Sequence, residues 1–210
     1  DQGTIKGSHW DYLSAIEKHS GICIEKVLLP YTRVWHYIKT GDTDGGIVFR
    51  SSDRDHLVKY VSKIRALKTV VIPREGVVLN SYEDLRGLQI GKTRGTNLGD
   101  RFNRDTLIQK VELPSYDRAA KMLLFERIDA LAGSGVVLGY QLEKFNALKA
   151  VNLSNTFTLG SREQWLQLSM KSLHLDKVAK LRASIKALKD KGVFDKIMTQ
   201  YYGSHWRLVN

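Results

Sequence analysis

The chain of 210 residues is 42% hydrophobic and 26% charged, an ordinary globular composition with room for one large domain or two small ones. No run of about 18 apolar residues occurs, so no stretch reads as a membrane-spanning helix. The formal net charge of +11 raises nucleic acid as a partner, but residues 166–210 spread nine Lys/Arg and three Asp around amphipathic helices, without the aromatic interleaving of a stacking platform, so no nucleic-acid partner is expected.

Taken in chain order, residues 10–19 (WDYLSAIEKH) set Leu13, Ile16 and Glu17 at helical spacing, with Gly21 as a stop. Residues 22–29 (ICIEKVLL) read as a strand ended by Pro30, with Cys23 as a core thiol. Cys23 is the single cysteine, so an internal disulfide is excluded. Residues 31–40 return to helix, with Tyr31, Val34, Trp35 and Ile38 on one face and Gly41 as the cap. Gly45–Phe49 is a short apolar strand, residues 53–62 are mixed, and residues 68–73 (KTVVIP) form a β-branched strand.

A second unit follows. Residues 81–87 make a capped helical turn, 88–91 a strand, 97–107 a helix, and 110–113 a strand ended by Pro114. Ser115 caps a helix over 116–127 with Ala119, Met122, Leu123 and Phe125 apolar. The strand within ERIDALAGSG (126–135) comes next, then a helix over 136–145, a strand at 150–153 and a strand at 164–170 that crosses back. Helices at 176–189 and 194–202 close the chain, the latter stopped by Gly203. This alternation predicts an α/β fold with mostly parallel strands and two lobes facing across a ligand cleft at the carboxyl ends of the strands. Lobe 1 is predicted as residues 1–84 plus 166–210 and lobe 2 as 85–165, with the hinge near 82–88 and 158–166.

Four strand ends are candidates for chemistry. After Gly46–Phe49 come two hydroxyls and a guanidinium, Ser51, Ser52 and Arg54. Ser52 or Asp53 can cap a helix, and Arg54 can either fork a carboxylate or pair with Asp53 or Asp55. In GKTRGTN (91–97), backbone N–H groups with Thr96 and Asn97 suit an anion at a helix start, without the spacing of a phosphate loop. In ERIDALAGSG, Asp129 at the strand start reads as structural. Ser134 at the strand end reads as ligand-facing, with the glycines around it letting backbone approach a solute. In GSREQW (160–165), Trp165 is either core or cleft wall. The six His residues show no zinc spacing and no GxSxG elbow occurs, so no metal, no cofactor and no catalytic residues are expected.

In sequence order the chain resembles bacterial extracytoplasmic solute-binding proteins serving ABC importers of polar amino acids. DQGTIKGSHWDYLSAIEKHSG is similar to the family's G-x-x-x-G-x-x-x-D-L segment through Gly3, Gly7, Asp11 and Leu13. LPYTRVWHYIKTGDTDGG resembles its P-[WY]-x-R motif and the G-x-x-D after it, through Pro30, Tyr31, Arg33, Ile38, Gly41 and Asp44. SSDR resembles T-x-E-R, ending in Arg54; YEDLRGLQIGKTRGTN is similar to DLxGxxVGVxxGT, through Asp84, Leu85, Gly87, Gly91, Gly95 and Thr96. LLFERIDALAGS and LKDKGVFDKIMTQYYG match two further segments.

The resemblance implies two α/β lobes that close on a small solute, with no catalysis. Arg54 would hold the solute's carboxylate, with Gly95 and Thr96 as its second clamp. Ser51, Ser52, Asn97 and Ser134 would add polar contacts, and Phe49 and Trp165 apolar walls. It further implies a monomer, an ABC transporter membrane component as partner, and a periplasmic place, or a membrane-anchored one where a lipid signal precedes the chain. The chain, with no initiator Met, reads as a mature or trimmed product. In the family a first strand and an aromatic-rich loop come before the residues that Asp1 onward matches. The family's acid for a ligand ammonium lies five residues after Asp129, where this chain has Ser134, so an ordinary α-amino acid would lack its counter-charge. A ligand-sensing module without a transporter and a dehydratase-like enzyme are the alternatives on the same fold.

Overall fold

The computed structural model describes residues 6–210. Its elements in chain order are α1 (Ser8–Ser20), α2 (Tyr31–Thr40), β1 (Gly45–Phe49), β2 (Val58–Pro73), β3 (Gln89–Thr93), α3 (Asp100–Arg104), β4 (Gln109–Leu113), α4 (Tyr116–Leu124), β5 (Ala130–Ser134), α5 (Gly135–Lys144), β6 (Phe157–Ser169), α6 (Val178–Asp190) and α7 (Val193–Tyr202). They fall into two units. Unit 1 holds the chain up to Ala66 with Glu163–Tyr201, and unit 2 holds Leu67–Arg162 with Tyr202–Asn210. The chain thus leaves unit 1 inside β2, at 66–67, rather than near residue 84. The reason is packing: Val70 and Ile72 of β2 belong to the apolar cluster of Leu131, Leu138 and Leu142 in unit 2.

In unit 1, β1 runs antiparallel to β6, from Gly45 opposite Leu168 to Phe49 opposite Gln164, and β6 neighbours β2. Helix α1 buries Tyr12 and Ile16 completely, with the Tyr12 ring 4.8 Å from Phe194 of α7. It ends at Gly21, whose φ of 67° is the left-handed conformation that glycine adopts at least cost. Arg65 of β2 ties four elements together. Its Nε donates to Gln164 Oε1 of β6 at 2.7 Å, while its other nitrogens lie 3.2 Å from His9 Nε2 of α1 and 3.1 Å from Met198 Sδ of α7.

Unit 2 orders its strands β2-β5-β3-β4. The predicted parallel arrangement is present in β5-β3-β4, while β2, the crossing strand, joins β5 antiparallel. Apolar clusters fill both faces, one around Leu131 and Leu138, the other around Val71, Ile90 and Phe102. Asp129 is structural, as its position predicts: one carboxylate oxygen takes the Gln89 N–H at 2.9 Å and the other lies 3.3 Å from Arg74 Nε. Lys92 and Glu112, register partners on β3 and β4, pair at 2.8 Å with the lysine buried.

Three elements depart from the sequence pattern. Residues 22–29 form no ladder among the described residues; side chains hold the segment instead, through Ile22 N–H to Ser20 Oγ at 3.2 Å and Ile24 N–H to Glu17 Oε1 at 2.9 Å. A cavity of about 1000 Å³ in unit 1 is lined by this segment and by residues 45–47 of β1. Cys23 is accordingly exposed rather than core. The helix predicted over 97–107 shrinks to α3, because Gly99 enters it at a φ of 113° and the Lys110 ammonium takes the carbonyls of Phe102, Asn103 and Asp105 at its end. Residues 150–153 make one isolated bridge, Val151 to Arg74, between two short 3-10 turns.

Burial, then the Arg65 guanidinium, holds His9 below its ordinary value of 6.5, with the Gln164 hydrogen bond acting the other way. A depressed folded value means that the contribution to stability is present above about 6.5 and is lost as pH falls below it. Thermal melts at about pH 7.5 and about pH 5 should show a smaller acid loss for His9→Gln than for wild type; equal losses would contradict this assignment.

Candidate functional site

The carboxyl end of β1 carries the unit 1 group. The last β1–β6 rung is Arg50 N–H to the Glu163 carbonyl at 2.8 Å. The chain then turns through Ser52–Arg54, closed by Arg54 N–H to the Ser51 carbonyl at 3.1 Å and braced by the Tyr60 hydroxyl on the same carbonyl at 3.2 Å. Neither Ser52 nor Asp53 caps a regular helix here; the Ser51 hydroxyl donates to Asp53 instead. That hydrogen bond, ahead of the nearby Arg54 charge, holds the Asp53 carboxyl below its usual range.

The Arg54 guanidinium lies over the Trp35 ring of α2, 4.3 Å from its centroid, and its Nε is 3.9 Å from Asp53 Oδ2. A guanidinium on an aromatic face keeps its edge, and therefore its N–H fork, directed outward. At 3.9 Å the Asp53 contact is Coulombic only, beyond hydrogen-bond reach. Trp165 is half-buried, edge-on to Tyr60 at 5.7 Å and 71°, and its Nε1–H donates to Glu163 Oε2 at 2.9 Å. Its ring is thus partly exposed and tethered at one edge rather than part of the core. The same bond, followed by the Lys63 contact at 3.1 Å, holds Glu163 below its usual range. Phe49, Ser51, Ser52, Arg54 and Trp165 therefore all belong to unit 1.

The unit 2 group sits at the carboxyl ends of two parallel strands. Ile90 to Lys92 of β3 lie beside Ala130 to Ala132 of β5, so the loop at 94–97 and Ser134 emerge from the same edge. Gly95 has a φ of 73°, which requires glycine, or nearly so. Thr96 turns inward: its N–H and hydroxyl both donate to the Thr93 carbonyl, at 3.2 and 2.6 Å. The Asn97 side-chain oxygen accepts from Gly99 N–H at 3.0 Å and the Asn103 amide at 2.6 Å, so that group serves the loop. Ser134 occupies the N-cap position of α5, half-buried, with no cap hydrogen bond from its side chain.

The glycines beside Ser134 serve packing, contrary to their predicted role of letting backbone approach a solute. A Cβ at Gly133 would stand 2.9 Å from the Tyr116 ring, and one at Gly135 would run into the Val209 carbonyl. The bare backbone of GSG thus makes room for a helix aromatic and for the C-terminal segment. Sequence pattern did not show that Arg50, Tyr60 and Trp35 gather at the end of β1 beside Arg54 and Trp165. Trp35 was visible on an apolar helix face, and Arg50 as a charge directly after a buried strand, but their joining is a long-range contact with no local signal. Among the described residues, no group of three or more His, Cys, Asp or Glu is placed to hold a metal.

No protein-family model matches the chain, and no curated protein matches it. Solved structures do match. A polar amino acid ABC uptake transporter substrate-binding protein from Streptococcus thermophilus is similar with a TM-score of 0.75 at 21% identity, covering 97% of this chain and 80% of that one. Substrate-binding domain 2 of GlnP from Lactococcus lactis, in its open conformation, gives 0.71 at 18% identity, covering 97% and 88%. A histidine kinase sensor domain with similarity to periplasmic binding proteins gives 0.61 at 17% identity, covering 97% and 89%. The likeness establishes the fold, that of the α/β periplasmic binding proteins.

Alanine at Gly133 would overpack β5 against Tyr116 and should destabilise the chain by about 1–3 kcal/mol in urea unfolding, with the loss relieved in a Gly133→Ala, Tyr116→Ala double variant. An unchanged midpoint for the single variant would contradict the packing role.

Proposed function

We propose that this chain is a non-catalytic binding protein that captures a small carboxylate-bearing solute outside the cytoplasm and hands it to an ABC transporter. The observation that carries the reading is Arg54: a guanidinium laid on Trp35 at the end of β1, with its nearest acid too far to hydrogen-bond. Such a fork matches a carboxylate bidentately. The fold of transporter-linked binding proteins supports the same reading.

In this reading Arg54 takes the carboxylate, and Gly95 and Thr96 are the solute contacts of unit 2, with the Thr96 N–H itself kept by the Thr93 carbonyl. Ser51, Ser52, Asn97 and Ser134 offer neutral hydrogen bonds, while Phe49 and Trp165 cover apolar carbon. The protein acts as a monomer and performs no chemistry: Asp129 is engaged by backbone and Arg74, and Glu163 by Lys63 and Trp165, so neither is poised as an acid or base. The similarity to a sensor domain favours a second reading, the same solute-binding module used for signalling without a transporter. Solute binding is common to both.

A thermal-shift screen over amino acids, amines and small organic acids identifies the class, since a ligand raises the melting temperature by mass action. For the carboxylate that binds, Arg54→Ala should weaken affinity by about 2–3 kcal/mol in calorimetry. Unchanged affinity would remove Arg54 from the site, and with it this assignment.

A further inference from the structure

The group at the end of β1 holds a second guanidinium that the carboxylate reading leaves unused. Arg50 follows the last residue of β1, and its guanidinium lies over Tyr60 at 4.8 Å and Trp165 at 5.5 Å. Its side chain is 47% exposed, and its nearest acid, Asp55, is 4.0 Å away. Neither Arg50 nor Arg54 makes a side-chain hydrogen bond among the described residues, whereas the Arg65 guanidinium of the same unit reaches Gln164, Ser8 and Met198. The acids nearby are committed elsewhere: Asp53 to the Ser51 hydroxyl, Glu163 to Lys63 and Trp165.

We infer that the solute carries two anionic groups, and that Arg50 is the second fork that selects for it; this rests on the reading of Arg54 as the carboxylate-binding residue. The turn from Ser51 to Arg54 brings its own ends within about 7 Å, and Arg50 stands one residue before it, so both arginines issue from one short stretch at the end of β1. Each guanidinium is braced by aromatic rings, Arg54 by Trp35 and Arg50 by Tyr60 and Trp165, so little side-chain freedom is lost on binding. The same bracing argues against a cationic solute, because Arg50 already covers the Tyr60 and Trp165 faces that would attract one.

Calorimetry with succinate, glutarate, butyrate and glutamine, on wild type, Arg50→Gln and Arg50→Lys, tests the inference. Succinate or glutarate should bind wild type at least about tenfold more tightly than butyrate or glutamine. Arg50→Gln should weaken the dicarboxylate about tenfold and leave butyrate within about twofold, with Arg50→Lys, which keeps the charge but loses the fork, in between. Melting without solute checks that Arg50→Gln folds; if it does not, Arg50→Lys carries the comparison. Butyrate or glutamine binding as tightly as the dicarboxylates, or dicarboxylate affinity indifferent to Arg50, would overturn the inference and leave the Arg54 reading standing. Failure of every carboxylate to bind wild type would overturn both.

Discussion

The hydrogen bond from Arg50 N–H to the Glu163 carbonyl, 2.8 Å long, is the last rung between β1 and β6 and fixes where the sheet of unit 1 gives way to the turn that carries Arg54. Residues before it obey the ladder: Gly45 to Phe49 pair one for one with Leu168 to Gln164. Residues after it are released into a turn that gathers Ser51, Ser52 and Arg54. The two-residue period of β6 divides the work. Gln164, turned to one face, anchors Arg65 and His9 and so the helices behind the sheet. Trp165 and Glu163, turned to the other, shape the surface on which Arg50 rests. Loss of register by one residue would exchange these roles and dismantle frame and site together.

Unit 2 solves a different problem. Its strand ends must leave room for its own packing. Gly133 accommodates Tyr116, and Gly135 accommodates the carbonyl of Val209, which is itself 1% exposed. The C-terminal segment is thereby locked onto the start of α5, with Asn210 Oδ1 accepting the Lys68 N–H at 3.0 Å. Ser134 is the residue in this stretch left with an uncommitted side chain at the strand end. Its neutrality leaves the end of β5 without a charge of its own.

Much of this was legible in the sequence. The bounds of β1 were readable because a short apolar run lies between Gly45 and a charged, hydroxyl-rich turn, and α1 and α2 because their apolar faces recur at helical spacing and end in Gly21 and Gly41. Residues 22–29 show the limit of local pattern: their composition is that of a strand, yet a strand exists only where a ladder partner lies alongside, and sequence does not report partners. Similarly, β2 and β6 are longer than their apolar runs, because pairing carries each through polar stretches. At the site, Arg54 was readable as a charge after a strand with hydroxyls beside it. The stacking of Arg54 on Trp35 and of Arg50 on Tyr60 and Trp165 was not, since each joins residues far apart in the chain. The glycines of GSG were misread for the same reason: what fills their space comes from Tyr116 and Val209.

The proposal that the Arg54 guanidinium on Trp35 takes a carboxylate is tested most directly by the side-chain Nε–H resonances of the arginines in an isotope-labelled sample. Adding the carboxylate that most raises the melting temperature should shift the resonance that Arg54→Lys removes. That resonance left unmoved by a carboxylate that demonstrably binds would contradict the account.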